Sequence, residues 1–430
     1  MTSLSLPVAE GPLRGEVVVP GSKSIANRAL VCAALAEGTS HLSGLPDGDD
    51  TEAMVGGLRR FGVGVTAETA DPSNVTVVGR VSFDGGVEID ARLAGTTSRF
   101  LTALGALGDD FTIVTGGPAL RTRPMAELHV ALRALGADVE SIESEGRLPV
   151  RVRRGDLHGG EISLPGDVSS QFVTALMLVA PRLRDGLRLR LTTPLVSRPY
   201  VTMTASVMST FGIEGIVVSE ALVSVEPGRY VATRTTIEPD ASSASYPLAL
   251  AAICGGEVRI PHLRADSLQG DVAILDILER MGCRVRFDDG GAVVKGTGSV
   301  RGLDIDMSDV SDLVPTVAAV AAFADSITTI TGVGFIRGKE SDRIGDLVAG
   351  LRSLGVEAES LDDGLRISPT ASASLHGATL STHHDHRLAM AWSLLASRVS
   401  GVSIDDPDVV SKSWPDWWQV RSTLLGSRSR

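Results

Sequence analysis

A helix closing on an apolar pair and a glycine recurs six times along this 430-residue chain, as LRRFG, LRALG, MSTFG, LERMG, LRSLG and TLLG. The glycines, Gly62, Gly136, Gly212, Gly282, Gly355 and Gly426, are 74, 76, 70, 73 and 71 residues apart. Glycine just past the last apolar residue marks a helix C-terminus, because the left-handed turn there carries no Cβ penalty in glycine. Extended segments such as VGVTAE, ADVESI and CRVRF follow.

A second unit runs out of step with the first: a polar start, then a small-residue apolar helix. Its copies are PGSKSIANRALVCAALAEG, LAGTTSRFLTALGALG, PGDVSSQFVTALMLVAP, PDASSASYPLALAAICGG, MSDVSDLVPTVAAVAAFAD and HHDHRLAMAWSLLASRVSG. Six and six make six near-equal units, each with two helices and several short strands. The period exceeds that of the common solenoids. The expectation is an α/β fold in two domains of three units, with chain crossings near Pro20 and Pro239. The second-type helices, apolar nearly all round, are expected inside; the first type, with wider polar faces, outside.

Hydrophobic residues make up 43% and charged residues 21%, as in a soluble globular protein, while only 4% aromatics imply an aliphatic core. A net charge of -12 argues against a general nucleic-acid or membrane surface. Cys32, Cys254 and Cys283 lack paired spacing and read as buried, reduced thiols. The opening MTSLSLPVAEGPLRG has neither a basic nor an apolar signal region, and no apolar run reaches membrane-spanning length, so a cytoplasmic location is expected.

The helix starts carry the wrong charge. Lys23 and Arg28 fall in or beside the first turn of VPGSKSIANRALVCAAL, capped by Ser22 or Ser24, where the helix dipole favours Asp or Glu. Arg99 after LAGTTS, Lys339 and Arg343 in GKESDR, and Arg387 after HHDH repeat the oddity. Arg123 in RTRPM and Lys412 in SKSWP lie beside prolines. Any one of these is ordinarily a solvated or salt-bridged cation. A set in step with the repeat points instead to a shared ligand carrying several negative charges. Ser169, Ser170 and Gln171 in VSSQF, and Ser197 and Tyr200 in LVSRPY, add hydroxyl and amide groups.

Neither a phosphate-binding GxxxxGK[ST] loop nor a GxGxxG fingerprint is present, so ATP and dinucleotide sites are unsupported. Asp312 and Glu340 stand among the cations and, from spacing alone, read as an N-cap and a salt bridge. His384 and His386 flank Asp385, but their spacing at a helix start splays the rings, and no metal site is expected.

Taken in order, PGSKSIANRAL, AGTTSRF, RTRPM, VSSQF, PDASSASYPLA, DLVPT, GKESDR, HDHRLAM and SKSWPDW resemble the 5-enolpyruvylshikimate-3-phosphate (EPSP) synthase family over essentially the whole chain. The resemblance implies a two-domain inside-out α/β barrel of six βαβαββ repeats, three per domain, with buried helices. Residues 21–239 would form one domain, residues 1–20 and 240–430 the other, and the active site would lie in the cleft between them. It implies a transferase of the shikimate pathway, serving aromatic amino acid biosynthesis. The enolpyruvyl group of phosphoenolpyruvate moves to the 5-hydroxyl of shikimate 3-phosphate and phosphate leaves, by addition and then elimination. It also implies no metal or organic cofactor, a monomer in the cytoplasm, no nucleic-acid or membrane partner, and domains that close on substrate.

Carried over by position, Lys23, Ser24, Arg28, Ser169, Ser170, Gln171, Ser197, Tyr200, Asp312 and Lys339 resemble the shikimate 3-phosphate contacts. Lys23, Gly95, Arg123, Gln171, Arg343, Arg387 and Lys412 resemble the phosphoenolpyruvate contacts. Asp312 resembles the base that takes the 5-hydroxyl proton. Glu340, with Lys23, resembles the acid–base group serving the methylene carbon. Departures occur at Arg92-Leu93, where many members have Gly-Asn, at Thr97 and Ser98 after Gly95, and near Phe335, where an Asn is common. Two other readings differ in class. A UDP-sugar enolpyruvyl transferase would carry a catalytic loop cysteine and Lys-Asn in place of Lys23-Ser24; a silent paralogue would keep the cations without needing the acids.

Overall fold

The computed structural model describes residues 3–80, 82–83, 85–288 and 290–426. All six repeat glycines close their helices in the left-handed conformation, with φ of +79° at Gly62, +104° at Gly136, +82° at Gly212, +106° at Gly282, +86° at Gly355 and +73° at Gly426. The six helices they end are Asp49–Arg60, Ala126–Ala134, Arg198–Thr210, Ile274–Arg280, Gly345–Ser353 and Trp417–Leu424. Each buries one face and leaves the other to solvent.

The small-residue helices are Lys23–Leu35, Gly95–Gly105, Ser170–Val179, Ala241–Cys254, Val314–Ala321 and His386–Leu395, and they are buried along nearly their whole length. Ala, Gly and Ser let neighbouring backbones approach closely, so a mostly aliphatic composition fills the interior without large voids. No acidic residue occupies the first turn of any of the six. Among the outer helices, Asp49, Asp50 and Glu52, Glu127, Asp276 and Asp346 do.

Strands flank the helices in small sheets of one recurring order. Gly160–Leu164 pairs in parallel with Leu187–Leu191, which pairs antiparallel with Leu222–Val225, which in turn holds Ile216–Val218 antiparallel. The same arrangement joins Val87–Asp90, Thr112–Thr115, Val150–Arg153 and Asp138–Ser141. It also joins Asp304–Asp306, Thr328–Thr331, Gly364–Ile367 and Ala358–Leu361. Side chains alternate in and out, as in the buried–exposed run of LRLRL.

Three sheets borrow strands from distant sequence. Arg234–Thr236 lies parallel to Thr39–Ser43, Leu13–Glu16 lies parallel to Gly256–Pro261, and Ser3–Ser5 pairs antiparallel with Ser403–Asp405. The chain therefore divides into two compact units, Gly21–Ile237 and Met1–Pro20 with Glu238–Arg430. The return crossing precedes the Pro239 boundary expected from sequence. The reason is local: Glu238 accepts hydrogen bonds from Ser267 Oγ and Gln269 Nε2, and Pro239 O accepts from Gln269 Nε2, so both belong to the second unit. Each unit has its own aliphatic core. Among the described residues no helix is long and apolar enough to cross a membrane.

Deleting residues 1–16 removes one strand from each of two sheets and takes Leu13, 3% exposed, out of the core. That side chain alone contributes ~2–3 kcal/mol. Calorimetry is expected to show melting several degrees lower; an unchanged transition would mean that the arm is not part of the fold.

Candidate functional site

In the Gly21–Ile237 unit, the Lys23–Leu35 helix starts at Ser22, whose extended backbone places Oγ to accept from Ile25 N at 3.4 Å. Of the two serines offered by the sequence, Ser22 is the cap. Lys23, the first helical residue, reaches Asp50 Oδ2 at 2.9 Å in the first turn of the neighbouring outer helix. Thr97 Oγ1 in turn donates to Asp50 O at 3.1 Å.

Arg28 lies on the same helix and is 2% exposed. Its guanidinium donates to Ser24 O at 2.7 Å, Thr204 Oγ1 at 2.8 Å, Tyr200 O at 3.3 Å and Thr174 Oγ1 at 3.4 Å. Every one of these partners is a neutral oxygen. The rings of Phe100 and Tyr200 lie 5.6 and 5.9 Å from its charge. Burial pushes the pKa of Arg28 down to about 10, which still leaves it charged at neutral pH. A buried cation matched only by neutral acceptors is costly unless an anion arrives.

In the same unit, Ser169 caps the Ser170–Val179 helix by accepting from Gln171 N, and Gln171 Oε1 is buried without a hydrogen-bond partner. Ser197 occupies the N-cap position of Arg198–Thr210 in the left-handed region, at φ +52°, without a capping side-chain hydrogen bond. Gly95 opens its helix under two arginines: a Cβ there would lie 2.6 Å from both Arg123 Nη1 and Arg99 Nη1. Arg92, one of the departures from the resembled pattern, is left-handed too, at φ +52°, a conformation that favours glycine. Its side chain turns to Glu52 and Asp49 on the surface.

In the second unit, four cations and several acids interlock. Arg343 is almost fully buried and uses all three nitrogens: Nε donates to Asp385 Oδ2 at 2.7 Å, Nη1 to Asp312 Oδ1 at 2.9 Å, and Nη2 to Glu340 Oε2 at 2.9 Å. Lys339 Nζ binds Asp312 Oδ1 at 2.7 Å and Arg387 Nη2 binds Asp312 Oδ2 at 2.8 Å. Lys412 Nζ reaches Glu340 Oε1 at 3.4 Å. Burial alone would raise the Asp312 carboxyl, but Arg387, Lys339 and Arg343 outweigh it and hold the group well below the usual carboxylate range. Burial lowers Lys339, with the Asp312 charge in opposition.

Asp312 is not the N-cap that its spacing suggests. It sits in the short Ser311–Leu313 turn before Val314–Ala321, and its carboxylate goes to the three cations. Glu340 does form salt bridges, to Arg343 and Lys412. Asp385, fully buried, caps His386–Leu395 through Arg387 N at 2.9 Å while anchoring Arg343. Phe335, at the other departure, places its ring 5.6 Å from Lys339 Nζ. Among the described residues no group of three or more His, Cys, Asp and Glu side chains could hold a metal ion.

Sequence reasoning missed the partners: Asp50 for Lys23, Thr174 and Thr204 for Arg28, and Asp385 as the anchor of Arg343. The sequence reading takes Asp385 only as the acid between His384 and His386. Its Asp-before-helix position is a capping signal, but its second role requires Arg343 from 42 residues away. Asp50 carries no signal beyond an acidic first turn.

A family model described as EPSP synthase (3-phosphoshikimate 1-carboxyvinyltransferase) matches residues 8–420. The chain is 39% identical to a 3-phosphoshikimate 1-carboxyvinyltransferase of Nostoc punctiforme, covering 97% of this chain and 98% of that one. It is 38% identical to that of Shewanella baltica, covering 96% and 97%. An EPSP synthase structure from Acinetobacter baumannii superposes with a TM-score of 0.81 at 25% identity, over 99% of this chain and 98% of that one.

Removing Asp385 takes from the buried Arg343 guanidinium the acceptor of its Nε. Asp385→Ala is expected to cost about 3–5 kcal/mol in urea unfolding, and Asp385→Asn, which keeps a capping oxygen, distinctly less. Equal losses for the two would put the effect in the ion pair rather than in the cap.

Proposed function

The chain belongs to the EPSP synthase family, and from that premise we propose how its two charged clusters divide the work. It is a 3-phosphoshikimate 1-carboxyvinyltransferase: it transfers the enolpyruvyl group of phosphoenolpyruvate to shikimate 3-phosphate, in the shikimate pathway to aromatic amino acids. Both substrates are phosphorylated carboxylates, and that chemistry answers the cations at the helix starts. The observation that carries the reading is Arg28, buried, charged and matched only by neutral oxygens.

In this reading Lys23, Ser24, Arg28, Ser169, Ser170, Gln171, Ser197, Tyr200 and Lys339 hold shikimate 3-phosphate. Lys23, Gly95, Arg123, Gln171, Arg343, Arg387 and Lys412 hold phosphoenolpyruvate. C3 of phosphoenolpyruvate takes a proton, the 5-hydroxyl adds to C2, and the tetrahedral adduct then loses phosphate as the C3 proton leaves. Asp312 accepts the proton of the attacking hydroxyl, and Glu340, with Lys23, serves C3. The enzyme works as a cytoplasmic monomer.

Electrostatics supports the role of Asp312 in a specific way. Three cations make it a weak base in the unliganded chain. A phosphate or carboxylate that competes for Arg387, Lys339 or Arg343 weakens that hold and moves the Asp312 pKa upward. Basicity therefore rises as anionic substrate binds.

Phosphate release by the purified protein tests the reading. Release is expected only with both substrates present, and Asp312→Asn should lower kcat about 10²–10⁴-fold. No release, with shikimate 3-phosphate still binding by calorimetry, would make the chain a silent paralogue. Gly95→Ala displaces the Arg123 and Arg99 guanidiniums, so it should raise KM for phosphoenolpyruvate while leaving shikimate 3-phosphate affinity within about twofold of the parent, a difference of a few tenths of a kcal/mol. An unchanged KM would remove Gly95 and Arg123 from that site.

A further inference from the structure

A second buried carboxylate stands behind the Arg387 cluster. Asp271 lies in the short turn Gly270–Ala273 and is 3% exposed. Its Oδ2 accepts from the Ser242 hydroxyl, and Ser242 Oγ accepts from Arg387 Nη2 at 3.4 Å. The same Arg387 nitrogen donates to Asp312 Oδ2 at 2.8 Å.

The direction of this relay is fixed by chemistry. A guanidinium can only donate and a carboxylate can only accept, so the single Ser242 proton goes to Asp271 and a lone pair faces Arg387. Arg387 is thereby held on two sides, directly by Asp312 and through a hydroxyl by Asp271. A guanidinium tied to one carboxylate can pivot about that contact; a second tie sets its plane.

Capping does not account for Asp271. The Ala241–Cys254 helix is already capped by Asp240, whose Oδ1 accepts from Ser243 N at 2.7 Å, and Ala241 N is taken by Gln269 Oε1 at 2.9 Å. Gln269 also donates to Pro239 O at 2.8 Å, so the loop before Asp271 is docked firmly on that helix start.

We propose that Asp271 is a positioning residue for the transfer reaction, acting through Ser242 to hold the Arg387 guanidinium in the orientation that receives phosphoenolpyruvate. The inference rests on the assignment of Arg387 to phosphoenolpyruvate made above. The ionised form of Asp271 is the one that orients Ser242 and attracts Arg387. Burial chiefly, then the like charge of Asp312, pushes the group up to about 6 against the pull of Arg387 and the Ser242 hydrogen bond, with Asp240 adding to the rise. The positioning is thus lost as pH falls through about 6.

The test uses the full chain with Asp271→Ala, Asp271→Asn, Ser242→Ala and, as reference, Arg387→Gln. Asp271→Ala and Ser242→Ala are expected to raise KM for phosphoenolpyruvate about tenfold, the scale of one charge-assisted hydrogen bond. Shikimate 3-phosphate affinity by calorimetry stays within about twofold, and the double variant is no worse than the worse single one. Asp271→Asn, neutral like the protonated acid, is expected to raise the phosphoenolpyruvate KM as well, though less than Asp271→Ala because an acceptor for Ser242 remains. The acid limb of kcat/KM for phosphoenolpyruvate loses one ionisation in Asp271→Asn; because substrate phosphate titrates in the same range, the difference between the two enzymes is what is read.

If Asp271→Ala does not fold, Ser242→Ala and Asp271→Asn carry the test. An unchanged phosphoenolpyruvate KM in these variants, where Arg387→Gln raises it, overturns the role of Asp271 alone. An unchanged KM in Arg387→Gln as well overturns the assignment of Arg387, and the inference falls with it.

Discussion

The second unit's chemistry depends on keeping the Arg343 guanidinium out of water. Its side chain is 1% exposed, and such burial is tolerable only if each donor finds a matched acceptor. Three acids from three places supply them: Asp312 from a turn, Glu340 from the same segment, and Asp385 from a helix cap. Arg343 thereby ties Asp312 and Glu340 to one another and to Asp385. Asp385, Glu340 and Asp312 together outweigh the burial cost that would lower its pKa, so Arg343 stays charged throughout. The two acids assigned to proton transfer are thus held by a cation that does not titrate.

The other unit solves the same problem differently. Around Arg28 the acceptors are two carbonyls and two threonine hydroxyls, none of them charged. An anion at Arg28 adds to an incomplete set. An anion at Arg387 or Lys339 must instead compete with Asp312. The first kind of site gains affinity from binding, and the second couples binding to a change in acidity. A phosphorylated substrate whose hydroxyl is to be deprotonated needs both.

Much of this was legible in the sequence because it was local. The left-handed glycines, the caps at Ser22 and Ser169, and the small-residue helices all follow from a few adjacent residues and the periodicity of a helix. The cations at the helix starts announced themselves by having the wrong sign for the dipole. What remained hidden was tertiary. Asp312 reads as a cap from its neighbours, and only Lys339, Arg343 and Arg387 arriving from elsewhere turn it into the centre of an ion cluster. The strands Leu13–Glu16 and Arg234–Thr236 likewise have no local signal, since their pairing partners lie far along the chain.

Charge accounting shows why the buried acids cannot all be ordinary partners. Lys339, Arg343, Arg387 and Lys412 face Asp312, Glu340, Asp385 and Asp271, four positive groups against four acids. With all of them ionised these eight groups sum to zero. Asp312 is held far too low to protonate first. Asp271, raised to about 6, is the acid that gives up its charge at least cost. Since the ionised form is the one that orients Ser242 toward Arg387, acidification reaches that arginine through Asp271 before it reaches Asp312.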